Sequence, residues 1–184
     1  MEQYSNEIIS ALLEEVEDFE VRLYTPEWIA RFPRKLQRRI RARRLWTLVR
    51  LSWEMLWHKP DVLFVPAHVL PFFAPRASFV TVHDIAYEKI PESYRWARRK
   101  YLRWSTKRAL RHAAKVIVPT ESVKADLMGI YGAHAEKIVV VSHGVSPLPA
   151  VSAAQIKNFY KHHELSQKEP LFFFIGRLES KKTS

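Results

Sequence analysis

Two kinds of apolar spacing alternate along the chain. Ile8, Ile9, Leu12, Leu13 and Val16 recur at helical intervals, so residues 2–17 predict an amphipathic helix. Phe19 to Tyr24 predicts a short strand, ended by Thr25-Pro26. Leu45, Val49, Trp53 and Leu56 then share one side of a predicted basic helix over 34–58, which Pro60 closes. Beyond it the apolar residues cluster in short unbroken runs: Val62 to Val65, Phe79 to Val82, Val116 to Val118, Ile138 to Val141 and Leu171 to Ile175. Such runs predict strands with both faces covered, because a half-exposed strand would alternate. Helices are predicted between them, over about 94–114, over 121–131 with Thr120 as N-cap, and over 155–163. Strands alternating with helices predict an α/β fold with a mostly parallel sheet and helices on both faces. The Pro/Ser-rich stretch 146–152 predicts a boundary between a first domain, 1–150, and a shorter second piece, 151–184.

Polar residues gather where these strands end. Pro66 and His68 follow Val65, and His83 and Asp84 follow Val82. Thr120, Glu121 and Ser122 come just after Val118, and Ser142, His143 and Gly144 follow Val141. Gly176, Arg177 and, a little later, Lys182 follow Ile175. In a parallel sheet these ends share one edge, which is the edge where open α/β folds bind ligands. His83 and Asp84 are the candidate catalytic pair, able to hydrogen-bond a sugar hydroxyl or to accept its proton; Asp84 equally suits a turn cap. His68, Thr120 and Glu121 are further candidates for ligand contact at this edge, although Thr120-Glu121-Ser122 is also a good helix start. Gly144 and Gly176 would let a ligand approach the backbone, and Arg177 with Lys182 would hold a diphosphate.

Composition narrows the chemistry. The 184 residues include no cysteine, which removes disulfides, thiolate metal sites and cysteine nucleophiles and fits a reducing cytoplasm. All four glycines lie after residue 128, so the first 128 residues hold no glycine-rich phosphate loop. No D-x-D, H-E-x-x-H or G-x-S-x-G pattern occurs, and no metal site is expected. No apolar stretch approaches the roughly 20 residues that span a bilayer. The acidic N-terminus is unlike the basic start of an export signal.

The net charge of +11 is unevenly placed. Residues 28–53 and 95–115 each hold nine basic residues and no acid, together with five of the six tryptophans. Clustered Arg, Lys and Trp suit an anionic partner, either a membrane surface or nucleic acid. The plainer alternative is a solvated helix face beside core tryptophans.

The segments PDVLFVPAHVLP (60–71), VTVHDIAYEKIPE (80–92), AAKVIVPTESVKADLMGIYG (113–132), EKIVVVSHGV (136–145) and FFFIGRLESKK (172–182) occur in the order and spacing of glycosyltransferase family 4, which the chain resembles. The resemblance implies the GT-B architecture of two Rossmann-like domains facing a cleft, with the acceptor mainly on the N-terminal domain. It implies a nucleotide-diphosphate sugar as donor substrate, no separate cofactor, retention of anomeric configuration, and a glycan or lipid-linked acceptor. His83 and Asp84 would face the transferring sugar and the acceptor, Gly144 the donor side of the cleft, and Arg177 and Lys182 the donor diphosphate. The family usually reads Asn-Gly-Val-Asp where this chain has His143-Gly144-Val145-Ser146. A leading strand with its glycine loop and a later acidic motif are also missing. The expectation is therefore an internal piece of such an enzyme, inactive by itself and peripheral to the inner membrane face. The rivals are a basic module binding nucleic acid or a membrane surface without catalysis, and a non-enzymatic subunit of a glycan-synthesis complex.

Overall fold

A computed structural model describes residues 2–15, 19–40, 46–144 and 150–166. The chain divides into two compact units, 1–143 and 144–184. The predicted strand at 171–175, together with Gly176, Arg177 and Lys182, lies outside the described residues.

The first unit opens with helix α1 (Glu2–Glu15), followed by strands β1 (Leu23–Thr25) and β2 (Gln37–Arg39). These two strands pair in parallel as a small sheet of their own. Gln37 ties the loop between them, its side-chain amide bonding the backbone of Ile29 and Phe32. The continuous helix predicted over 34–58 is therefore corrected. Residues 34–36 form one 3-10 turn, 37–39 extend as β2, and helical structure resumes as a π-helical turn, Trp46–Arg50, leading into α2 (Leu51–Trp57). Apolar spacing over 45–56 carried the helix signal, but nothing comparable supports it over 34–44, where basic residues dominate.

The main sheet holds β3 (Val62–Val65), β4 (Ala77–Thr81), β5 (Lys115–Val118) and β6 (Ile138–Val140), in sequence order and all parallel. A short helix α3 (Ala86–Lys89) and the long helix α4 (Trp96–His112) connect β4 to β5, and α5 (Glu121–Tyr131) connects β5 to β6. Right-handed crossovers between sequential neighbours put their helices on the same face of a sheet. The register shows the result. Val65, Val80, Val116 and Ile138 pair across all four strands, and every one is buried. Met55, Ala109 and Leu127, from α2, α4 and α5, join the same core. The opposite face is less completely covered: Thr81 is buried, Phe64, Phe79 and Ile117 are half-buried, and Val139 is exposed.

Two polar anchors lock helices to this frame. Glu54 of α2 is buried, with Arg38 Nε of β2 at 2.5 Å and His58 Nδ1 at 3.0 Å. Glu88 of α3 receives Arg103 Nε at 2.7 Å and the Tyr131 hydroxyl at 2.6 Å, joining α3, α4 and α5. Tyr87 adds a 2.7 Å hydroxyl bond to Thr106 from inside the core.

In the second unit, α6 (Ala153–His162) starts on a capping box. Ser152 Oγ accepts from the Gln155 amide, and the Gln155 side chain accepts in return from the Ser152 amide. Ser152, predicted to end the linker, is thus the cap of the helix.

Candidate functional site

The parallel sheet sets the carboxyl tips of β3 to β6 along one edge. The ladder runs one residue past the strand ends, because Val82 N donates to Ile117 O and Val141 N to Val118 O, at 2.8 and 2.9 Å. His83 is the first residue after the last paired position of β4. It lies two residues beyond Thr81, so it belongs to the sheet face opposite the valine core.

Three histidines from three different tips meet there. The ring centroids of His68 and His83 are 6.0 Å apart, and those of His83 and His143 are 5.4 Å apart. Tyr4 of α1 closes the group, edge-on to His83 at 4.7 Å and to His143 at 4.8 Å. Its hydroxyl is 3.2 Å from Thr81 Oγ1, which fixes the first turn of α1 over the end of β4.

Backbone carbonyls orient two of the rings. His83 Nε2 donates to Pro66 O at 3.1 Å, and His68 Nε2 donates to Asp84 O at 3.0 Å. A carbonyl accepts only, so in each neutral ring the proton sits on Nε2 and Nδ1 keeps its lone pair. The two bonds also cross-link the β3 and β4 tips. Ser105 of α4 supports the same loop by donating to His68 O at 3.0 Å. Partial burial holds the His83 pKa below its ordinary value, against the opposing pull of the Pro66 carbonyl, and the neighbouring His68 and His143 push it the same way. His83 is thus neutral near pH 7, with an acceptor nitrogen for a hydroxyl.

The other predicted residues fall into different environments. Asp84 is exposed, and its Oδ1 accepts from Ala86 N at 3.0 Å, starting α3. Thr120 and Glu121 stand at the β5 tip. Thr120 caps α5, its Oγ1 accepting from Val123 N at 3.2 Å, and Glu121 is exposed in the first turn. Gly144 is exposed in the second unit, and no contact among the described residues requires glycine there. Tyr4 is the residue that sequence reasoning missed. Its signal was present, since Tyr4 continues the Ile8–Leu12 stripe of α1 by one more turn. Although three histidines lie close together, no group of three or more His, Asp or Glu side chains among the described residues is placed to hold a metal ion. No helix of the described residues is long and apolar enough to cross a membrane.

No curated protein and no solved structure matches the chain. The family model described as Glycosyltransferase Family 4 matches residues 1–147, which takes in all four strands of the main sheet and the histidine cluster at their tips. The chain belongs to glycosyltransferase family 4.

Proposed function

We propose that residues 1–143 form the acceptor-side domain of a retaining glycosyltransferase that moves a sugar from a nucleotide-diphosphate sugar to a glycan or lipid-linked acceptor. The observation carrying this reading is the edge where His68, His83 and His143 meet under Tyr4. In the transfer, the anomeric carbon exchanges its bond to a diphosphate oxygen for a bond to the acceptor oxygen, and the acceptor hydroxyl loses its proton. His83 contributes a neutral ring whose Nδ1 accepts a hydrogen bond from a sugar hydroxyl or takes up its proton. The Pro66 carbonyl holds that ring in one tautomer and one orientation. Asp84, next in the chain and exposed, faces the same ligand in this reading, and His68 contributes at the acceptor side.

Thr120 and Glu121 line the acceptor side at the neighbouring tip, where the first amides of α5 and its dipole favour electron-rich groups. Gly144, Gly176, Arg177 and Lys182 take the donor. The two cations balance charge on the departing diphosphate without a metal or a separate cofactor. A nucleotide-sugar donor implies a cytoplasmic reaction, and a lipid-linked acceptor implies the inner membrane face.

The test is equilibrium binding of a panel of nucleotide-diphosphate sugars and simple glycosides to the chain and to its His83→Ala variant. At least one member should bind, with an affinity about tenfold lower in the variant for the loss of one ligand hydrogen bond. Binding of no member, or binding indifferent to His83, would contradict the reading.

A further inference from the structure

α2 and the turn before it carry apolar residues on two sides. Leu48, Leu51 and Met55 face the core. Val49, Trp53, Leu56 and Trp57, spaced i, i+4, i+7 and i+8, form a second stripe that faces solvent, each residue more than half exposed. A helix on the surface of a globular domain normally carries polar residues there.

The loop after Leu70, beside α2, and helix α4 carry exposed aromatic residues of their own. Ser52 Oγ, held by the Leu48 carbonyl, accepts from Phe72 N at 2.6 Å and pins the loop after Leu70 beside α2. Phe72 packs on Trp104 of α4, 5.9 Å between centroids, and Arg108 lies over the Phe72 ring at 5.0 Å. The Arg108 guanidinium also donates to the carbonyls of Pro71 and Phe72. Phe72, Phe73 and Trp104 nonetheless remain exposed, so the packing builds an aromatic surface without covering it.

Charge identifies what fits this surface. Trp104, Lys107, Arg108 and Arg111 share one face of α4, at i, i+3, i+4 and i+7. Lys107 and Arg111 are exposed and form no ion pair with a described carboxylate. The three segments that build the surface, 48–57, 66–76 and 95–115, contain one acid, Glu54, which is buried and paired. Exposed Trp and Phe beside unpaired Lys and Arg, with no surface acid, match the headgroup region of an anionic bilayer. There aromatic rings sit at the acyl boundary and cations meet lipid phosphate. Val49 and Leu56 offer a nucleic acid neither stacking nor charge, and a second copy would bring like charge against like.

We propose that the α2 stripe, the Phe72-Phe73 loop and the basic face of α4 together dock the protein on an anionic phospholipid surface. This deepens the transferase reading by naming the surface on which a lipid-linked acceptor is met, but it is read out without any sugar.

The test is co-flotation of the full chain with phosphatidylglycerol/phosphatidylcholine vesicles and with pure phosphatidylcholine vesicles, across a salt series. Tryptophan fluorescence and quenching by bromine-labelled acyl chains are recorded in parallel. Binding should favour anionic vesicles by about tenfold or more, weaken with salt, and bring a blue shift with bromine quenching. Lys107→Glu with Arg111→Glu should weaken binding by about tenfold or more. Trp53→Ser with Trp57→Ser should weaken vesicle binding and reduce the quenching to what Trp104 gives, while leaving circular dichroism and the thermal midpoint near wild type, since both rings are exposed. Equal binding to neutral vesicles, binding without quenching, or preference for duplex DNA over vesicles would overturn the proposal. So would a concentration-dependent dimer abolished by the tryptophan pair in a chain that ignores vesicles. Vesicle docking without sugar binding would leave this inference standing while the transferase reading fell.

Discussion

His83 is held neutral by its surroundings, and that has a measurable consequence for stability. Its folded pKa lies below the ordinary 6.5, chiefly because the ring is partly buried. As pH falls, the unfolded chain takes up this proton before the folded one does. The stabilisation is therefore complete above about pH 6.5 and is lost as pH drops through the lower folded value. The thermal midpoint of wild type should fall over that interval more steeply than that of His83→Gln, as a melting series from about pH 5 to pH 8 would show. Parallel profiles would mean that His83 is not held neutral. Tyr4 supplies part of the shielding. Tyr4→Phe should cost about 0.5–1.5 kcal/mol in denaturant unfolding, for the bond to Thr81, and leave the His83 pKa low. Tyr4→Ala should raise that pKa toward its ordinary value. The sequence marked His83 by its place after a strand. Helical spacing put Tyr4 on the apolar stripe of α1, but nothing local tells that this stripe meets His83, 79 residues further along the chain.

At the level of elements, capping and backbone geometry make sharper predictions than function does. Thr120→Ala should destabilise the chain by about 1 kcal/mol while Thr120→Ser keeps most of the cap, both read from denaturant midpoints. Gly132 ends α5 with φ +63°, in the left-handed region, and its amide bonds back to the last turn. Gly132→Ala should cost about 1 kcal/mol even though its Cβ would meet no neighbour, because the strain lies in the backbone. Glu88→Gln removes the charge that gathers Arg99, Arg103 and Tyr131, and should cost about 1–3 kcal/mol in the same assay.

These elements were also the most legible ones. β3 and α5 are read to the residue because an unbroken apolar run and a Thr-Glu cap are strong local signals. Over 46–57 the helix signal held, but over 34–40 it failed. A basic segment with few apolar positions has no period to read, and its pairing with β1 depends on residues far from it in the chain. α3 was missed for a related reason, since four residues are too few to show periodicity.

At the scale of the molecule, one sheet edge carries the account. Sequential parallel strands place the tips of β3, β4 and β6 together, and the histidines converge there because each follows its strand within three residues. That the strand ends share one edge was legible from the parallel sheet and from the polar residues after each run. Which tips actually touch was not, because ring contacts depend on how the loops fold back.

Histidine-ring NMR of the chain, titrated with nucleotide-diphosphate sugars and glycosides, tests this claim most directly. The account predicts that His68, His83 and His143 shift together with one saturation curve, while His58, His112 and His134 stay still. Shifts scattered over all eight histidine rings of the chain, or none at the three, would contradict it.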